Sequence, residues 1–163
     1  MQYEVDQSGK VEQTEHDTVL TLSNDVCFAV VLKKKDKRAL ETYFRKIGMR
    51  VHFPYLVFSA LLAILFYQVD PKSGILVDRE YYGHEDLIEE KTTVYLKKLG
   101  LRRKIYYVFG FVGKLSPAHA LAAKVSRKRR KFDLEVAAEE LIDLMFGEKN
   151  KDRKPTRASR RPT

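Results

Sequence analysis

DTVLTLSNDVCFAVVLKKKD, residues 17–36, decides the fold. Residues 17–22 are β-branched and alternate apolar with polar, which predicts a strand. Ser23-Asn24-Asp25 follows as a turn signal, since these short polar side chains bond their own backbone. The run VCFAVVL, residues 26–32, is almost continuously apolar. That is the pattern of a central strand buried on both faces. The period then changes: Leu40, Tyr43, Phe44 and Ile47 recur three and four apart, predicting a helix over residues 36–47 that Gly48 stops.

Working outward, Tyr3 and Val5 alternate with polar neighbours as a first strand, and Ser8-Gly9 marks its turn. Residues 10–13 read as a second strand or as loop. Residues 74–78 (GILVD) and 105–112 (IYYVFGFV) are further strands. Residues 84–99 are a helix ended by Gly100. Residues 116–129 are a helix with Ser116 as N-cap and Pro117 at its first position. Residues 134–146 are a last amphipathic helix. Strands come first, then helices alternate with strands. This order predicts an α/β domain over residues 1–147, a mixed five-stranded sheet, antiparallel first and then parallel, with helices on both faces. Residues 148–163 have no apolar periodicity and are dense in Lys, Arg, Pro and Ser, the composition of a disordered basic tail.

Residues 53–69 read FPYLVFSALLAILFYQV and carry no formal charge. A spanning helix needs about 20 apolar residues. Tyr55, Ser59, Tyr67 and Gln68 also scatter polarity along the segment. A buried helix is therefore expected, covered by the sheet and by another helix or a second subunit. A homodimer through this helix is one expectation. A membrane-associated or oligomeric interaction protein is the alternative reading of the same segment.

The chain has 163 residues and a net charge of +9, of which the last sixteen residues supply +5. A basic balance favours phosphate-rich partners or anionic surfaces. Clusters at Lys33–Lys35 with Lys37 and Arg38, at Arg102–Lys104, and from Lys124 to Lys131 could neutralise phosphates. Lys10, Lys114, His119, Lys124, Arg127 and Arg130 are the candidate nucleic-acid contacts. Lys114 and Ser116 stand at a strand-to-helix turn whose backbone N–H groups suit a phosphate. Cys27 is the one cysteine, expected as a buried small hydrophobe, and a lone thiol fits a reducing, cytoplasmic compartment. The first residues show no secretory signal pattern. No Cys/His spacing suggests zinc, and no dinucleotide or Walker fingerprint is present.

Carboxylates mark the ends of two strands. Asp6 follows YEV on the first, Asp78 closes GILVD, and Glu80 lies two residues further on. Ligands of open α/β sheets gather at such carboxyl ends. Acids converging there could hold Mg²⁺ or Mn²⁺, which prefer oxygen donors. The plain alternative is that Asp6 starts a turn while Asp78 and Glu80 are solvated. His84 has two readings. Gly83-His84-Glu85-Asp86 opens a helix whose acids complement its dipole, or His84 stands beside the strand-end acids as a catalytic proton shuttle.

The first strand with DQSGK resembles the opening of ribonuclease-H-like enzymes, where an Asp precedes a small turn containing Gly. The type 2 ribonucleases H carry an Asp-Glu-(Ala)-Gly-Arg-Gly version. SPAHALAAKVSRKRR, residues 116–130, is similar to their Ser-Ala-Ala-Ser-Ile-Ile-Ala-Lys-Val-Thr-Arg-Asp helix, and LVDRE, residues 76–80, is placed like the strand that supplies a further acid. In this loose form the resemblance covers residues 1–130. It implies a divergent Mg²⁺- or Mn²⁺-dependent nuclease acting on RNA, an RNA–DNA hybrid or a DNA junction. Asp6 and Asp78 carry over as metal ligands, with Glu80 as the nearest replacement acid. The family's second acid is Gln7 here, the acid closing the helix falls on Lys128, and the glycine-rich turn is reduced to Gly9. Glu85, Asp86, Asp133 or Glu135 could replace the missing acids. Asp133 or Glu135 is favoured, because a late carboxylate completes the site in resolvases of this fold. With the acid set incomplete, the same fold would serve as a non-catalytic nucleic-acid-binding protein.

Overall fold

Alternating apolar and polar side chains make β1 (Tyr3–Ser8), and its two neighbours fix which face each residue takes. It pairs antiparallel with β2 (Thr18–Ser23), which pairs antiparallel with β3 (Cys27–Leu32). β4 (Ile75–Asp78) lies parallel to β1 on its other side, and β5 (Tyr107–Gly110) lies parallel to β4. A two-residue strand, β6 (Leu134–Glu135), joins β3 in parallel. The order is β5-β4-β1-β2-β3-β6, so the first strand is central. This computed structural model describes residues 2–24 and 26–147. The basic tail expected at residues 148–163 lies outside them.

The helices are α1 (Lys34–Lys46), α2 (Phe53–Val69), α3 (Glu85–Leu99), α4 (Pro117–Ser126) and α5 (Ala138–Phe146). α4 lies over β1, β2 and β3 on one face, closing a small core of Val19, Ala29, Val31, Leu121 and Val125. α1, α2, α3 and α5 supply the main core on the other face, where Val5, Leu20, Leu22, Ile75 and Val77 point. On the α4 face, the alternation of β4 and β5 presents Leu76 and Val108, and Val108 is 59% exposed.

α2 is apolar on every side because it is enclosed on every side. Thirteen of its seventeen residues are buried and the other four are half-buried. It packs on β2 and β3 and is flanked by α1, α3 and α5. Residues 50–69 are long and apolar enough to cross a membrane, but 67% of that window is buried inside the fold. The chain itself therefore supplies the cover that the sequence left open between a helix and a second subunit. Each fully buried Leu or Phe of this helix contributes about 1.5–3 kcal/mol.

Four expectations need correction. The sheet has six strands, not five, because residues 133–136 add β6. Asp133 N–H donates to Ala29 O and Val136 N–H to Val31 O, so this stretch is drawn into the sheet. α5 accordingly starts at Ala138, whose N–H is capped from α1 by Asp36 Oδ1 at 3.0 Å. Cys27 is exposed, since β6 pairs only with Val30 and Val31 and leaves the start of β3 uncovered. Residues 10–13, left open by the sequence between strand and loop, are turn.

Lys37 is the fourth. Grouped by sequence with surface cations, it is fully buried. Its Nζ donates to the carbonyls of Lys10 (2.9 Å), Gln13 (2.6 Å) and His16 (2.7 Å), pinning the β1–β2 loop against α1. Burial pushes the amine down to about 8, while Glu12, Glu15 and Asp17 pull the other way. Three carbonyl acceptors require three N–H donors, which only the ammonium supplies. The same loop needs glycine at position 9: its φ is +75°, and a Cβ there would lie 2.3 Å from Asp17 O.

Candidate metal centre

Two adjacent parallel strands bring the first two acids together. β1 and β4 pair Tyr3 with Ile75, Glu4 with Leu76 and Val5 with Val77. One residue further along that register lie Asp6 and Asp78. Both point to the α4 face, since Val5 and Val77 take the opposite one. Glu80, just beyond the end of β4, completes the group. Asp6, Asp78 and Glu80 each offer an oxygen within 4.8 Å of the other two.

The surroundings fix each carboxylate. Asp6 is only 4% exposed. Burial raises its pKa and the charge of Asp78 adds to this, against opposing hydrogen bonds from His119 and the Gln7 backbone. Asp78 Oδ1 accepts Val112 N–H at 2.8 Å, which ties the β5–α4 turn to the cluster. Glu80 is pushed up to about 7, first by burial and then by its hydrogen bond to Asp78 and that residue's charge. Lys10 Nζ, 3.9 Å from Glu80, offsets part of this. Three carboxylates this close could hold a metal ion, and burial with the charge of Asp78 raises the pKa of both Asp6 and Glu80.

α4 is anchored so that His119 stands over Asp6. Ser116 caps the helix by accepting Ala118 N–H at 3.1 Å, and its hydroxyl also donates to the Glu4 carboxylate. Thr21 on β2 donates to Ala118 O at 2.9 Å. His119 Nδ1 then lies 2.8 Å from Asp6 Oδ2, with the imidazole 42% exposed. Glu4 and Thr21 were not singled out in the sequence. Their signal was the alternation that puts Glu4, Asp6 and Thr21 on one face.

Two expected members stand elsewhere. Asp133 is on the α4 side of the far sheet edge, where its carboxylate accepts Ala29 N–H at 2.8 Å and pairs with Arg130 at 3.4 Å. Three strand spacings separate β6 from β1, about 14 Å. Neither Asp133 nor Glu135 joins the cluster, so the late carboxylate of the resolvases has no counterpart at these positions. His84 stacks on Tyr55 of α2 with ring centroids 3.8 Å apart, on the opposite face from the acids. The structure therefore does not bring it into the group of Asp6, Asp78 and Glu80. Gln7 also points away from the acids, and its amide donates to Tyr81 Oη at 3.2 Å.

Of the basic candidates, Lys114 is exposed in the turn before α4, while Lys124 and Arg127 are exposed on and just after it. Arg130 is partly engaged by Asp133, and Lys10 by Glu80. Comparison with known proteins gives no match: no family model, curated protein or solved structure is similar to this chain.

Proposed function

We propose that this chain is a divergent metal-dependent nuclease of ribonuclease-H-like type, hydrolysing phosphodiester bonds in RNA, an RNA–DNA hybrid or a DNA junction. One observation carries the reading: Asp6, within central strand β1, and Asp78, at the carboxyl end of the parallel strand β4, are neighbours, with Glu80 beside them. The strand order, with an antiparallel β1–β2–β3 unit and β4 and β5 parallel to β1, supports the fold assignment. Fold alone does not fix activity, so the weight rests on the acids.

Asp6, Asp78 and Glu80 would hold Mg²⁺ or Mn²⁺. When bound, the metal activates water and neutralises charge on the phosphodiester. His119 fixes the rotamer of Asp6 from outside the ligand set, as partners of metal ligands generally do. Lys10 keeps Glu80 from being expelled by its two acidic neighbours. Lys114, Lys124 and Arg127 present exposed cations on the same face for backbone phosphates.

A second reading is a non-catalytic nucleic-acid-binding protein on this fold. It is favoured by Gln7 and Lys128 at two positions where the resemblance calls for acids. Mn²⁺ titration of the wild-type and Asp6→Asn/Asp78→Asn proteins, with cleavage of labelled RNA, hybrid and junction substrates, separates the two. Metal binding and cleavage that both vanish in the double variant support the nuclease. Salt-sensitive nucleic-acid binding without cleavage in the wild type refutes it and leaves the binding module.

A further inference from the structure

Beside the acids the sheet runs out to an edge that no helix of the described chain covers, and that edge is apolar. Val108 on β5 is 59% exposed and Tyr106, just before it, 69%. In the turn from β5 to α4, Phe111 is 84% exposed and Leu115 wholly so. Of the aromatics along this stretch, Tyr106 stands on the exposed side. Only Tyr107 and Phe109 point inward, against α2 and each other. The ledge is continuous with the acid cluster, because Val112, between Phe111 and Leu115, donates its N–H to Asp78. On β5 the residue opposite Asp78 is Gly110, and Leu76 of β4 fills the space a side chain would take there, carrying the apolar surface up to the acids. Its flanking charges are cationic: Lys104 Nζ sits 5.0 Å from the Tyr106 ring centroid, and Lys114 is exposed in the turn.

We infer that this ledge is a stacking platform for the bases of a single-stranded nucleic acid, which delivers its backbone to the acid cluster. The inference rests on the nucleic-acid reading above and narrows its substrate class. Exposed aromatic faces next to cations are how single strands are held without sequence preference, since every base has a π-face. A duplex keeps its bases stacked inside and has none to offer. Across the same face, α4 leads to Lys124 and Arg127 over the β3 side of the sheet. Five strand spacings from β5 to β6 amount to about 24 Å, on the order of seven stacked nucleotides. A second copy of this chain seated on the edge would bring Lys104 and Lys114 against equally basic neighbours, which charge disfavours.

The chain contains no Trp, so Phe111→Trp places a single reporter on the ledge. With chelator present to prevent cleavage, the full-length variant is titrated with 12-nucleotide oligouridine and with a 12-base-pair RNA–DNA hybrid. Saturable quenching by the single strand, with little by the hybrid, is the expected result. In anisotropy titrations, Phe111→Ala should weaken single-strand binding roughly tenfold while hybrid binding is unchanged. Binding that saturates without quenching overturns the inference, as does equal loss of both ligands. Emission that changes with protein concentration alone, with a doubled mass, identifies a second copy as the occupant and also overturns it. Cleavage assays stand apart: a ledge that fails beside intact Asp6-dependent cleavage refutes only the platform, and the reverse pattern refutes only the nuclease.

Discussion

The imidazole of His119 and the carboxylate of Asp6 meet at 2.8 Å, Nδ1 to Oδ2, although 113 residues separate them. The contact joins α4 to the central strand at the point where the acids converge. It makes His119 a positioning residue. His119→Ala is expected to lower Mn²⁺ affinity about tenfold. His119→Asn, whose amide can donate from nearly the same place, should recover part of that loss. Isothermal titration with Mn²⁺ reads both, and equal affinities in all three proteins would show that the histidine orients nothing.

Glu80 makes stability depend on pH. Its carboxyl titrates at about 7 in the folded protein against an ordinary value of 4.5, so the folded state binds that proton more tightly. The stabilisation is full below about pH 4.5 and is lost as pH rises through 7. In metal-free buffer, Glu80→Gln should flatten this part of the profile and gain about 1–3 kcal/mol over wild type above pH 7. Thermal melts of both proteins from pH 5 to 8 test it. Parallel curves would mean that neither burial nor the acidic neighbours raise the Glu80 carboxyl.

Lys37→Met removes three N–H donors and leaves the carbonyls of Lys10, Gln13 and His16 without that partner. The expected cost is about 3 kcal/mol, a fall in Tm of roughly 6–12 °C. Urea unfolding gives the value directly. A change below 1 kcal/mol would show that water serves the loop equally well.

Asp36 caps a helix that begins 102 residues later. Asp36→Ala should cost about 1 kcal/mol. Asp36→Asn, which keeps an acceptor, should cost less. Hydrogen exchange should quicken in the first turn of α5 and leave α1 unchanged. Faster exchange throughout α1 would assign Asp36 to its own helix instead.

The sheet was legible because its strands carry strong local signals. The continuous run at residues 26–32 had to be interior, and Tyr3, Val5 and the polar residues between them declared two faces. Asp78 closes β4 as read from GILVD, whereas Asp6 lies inside β1, which continues through Gln7 and Ser8. Their adjacency, however, is a property of the β1–β4 register, which the sequence does not write. β6 was missed because two residues carry no period; Ala29 and Val31 recruit them. Lys37 looked like one of a surface row, and only the folded loop shows three carbonyls aimed at it. His84 and Asp133 have the right chemistry, but their partners, Tyr55 and Ala29, are set by tertiary contacts.

The central place of β1 has a consequence for the order in which the protein takes shape. Its antiparallel partner β2 follows after nine residues, so Asp6 can be set in a strand early, by local pairing. Asp78 lies 72 residues away and reaches its neighbour only after α1 and α2 have crossed back over the nascent sheet. His119 arrives later still. A growing chain thus carries Asp6 without its two partners until close to the midpoint of its synthesis, and the cluster forms only once β4 has docked on β1. A chain whose β4 has not yet docked on β1 lacks the three-acid cluster, so the proposed cation capture would report on the finished fold.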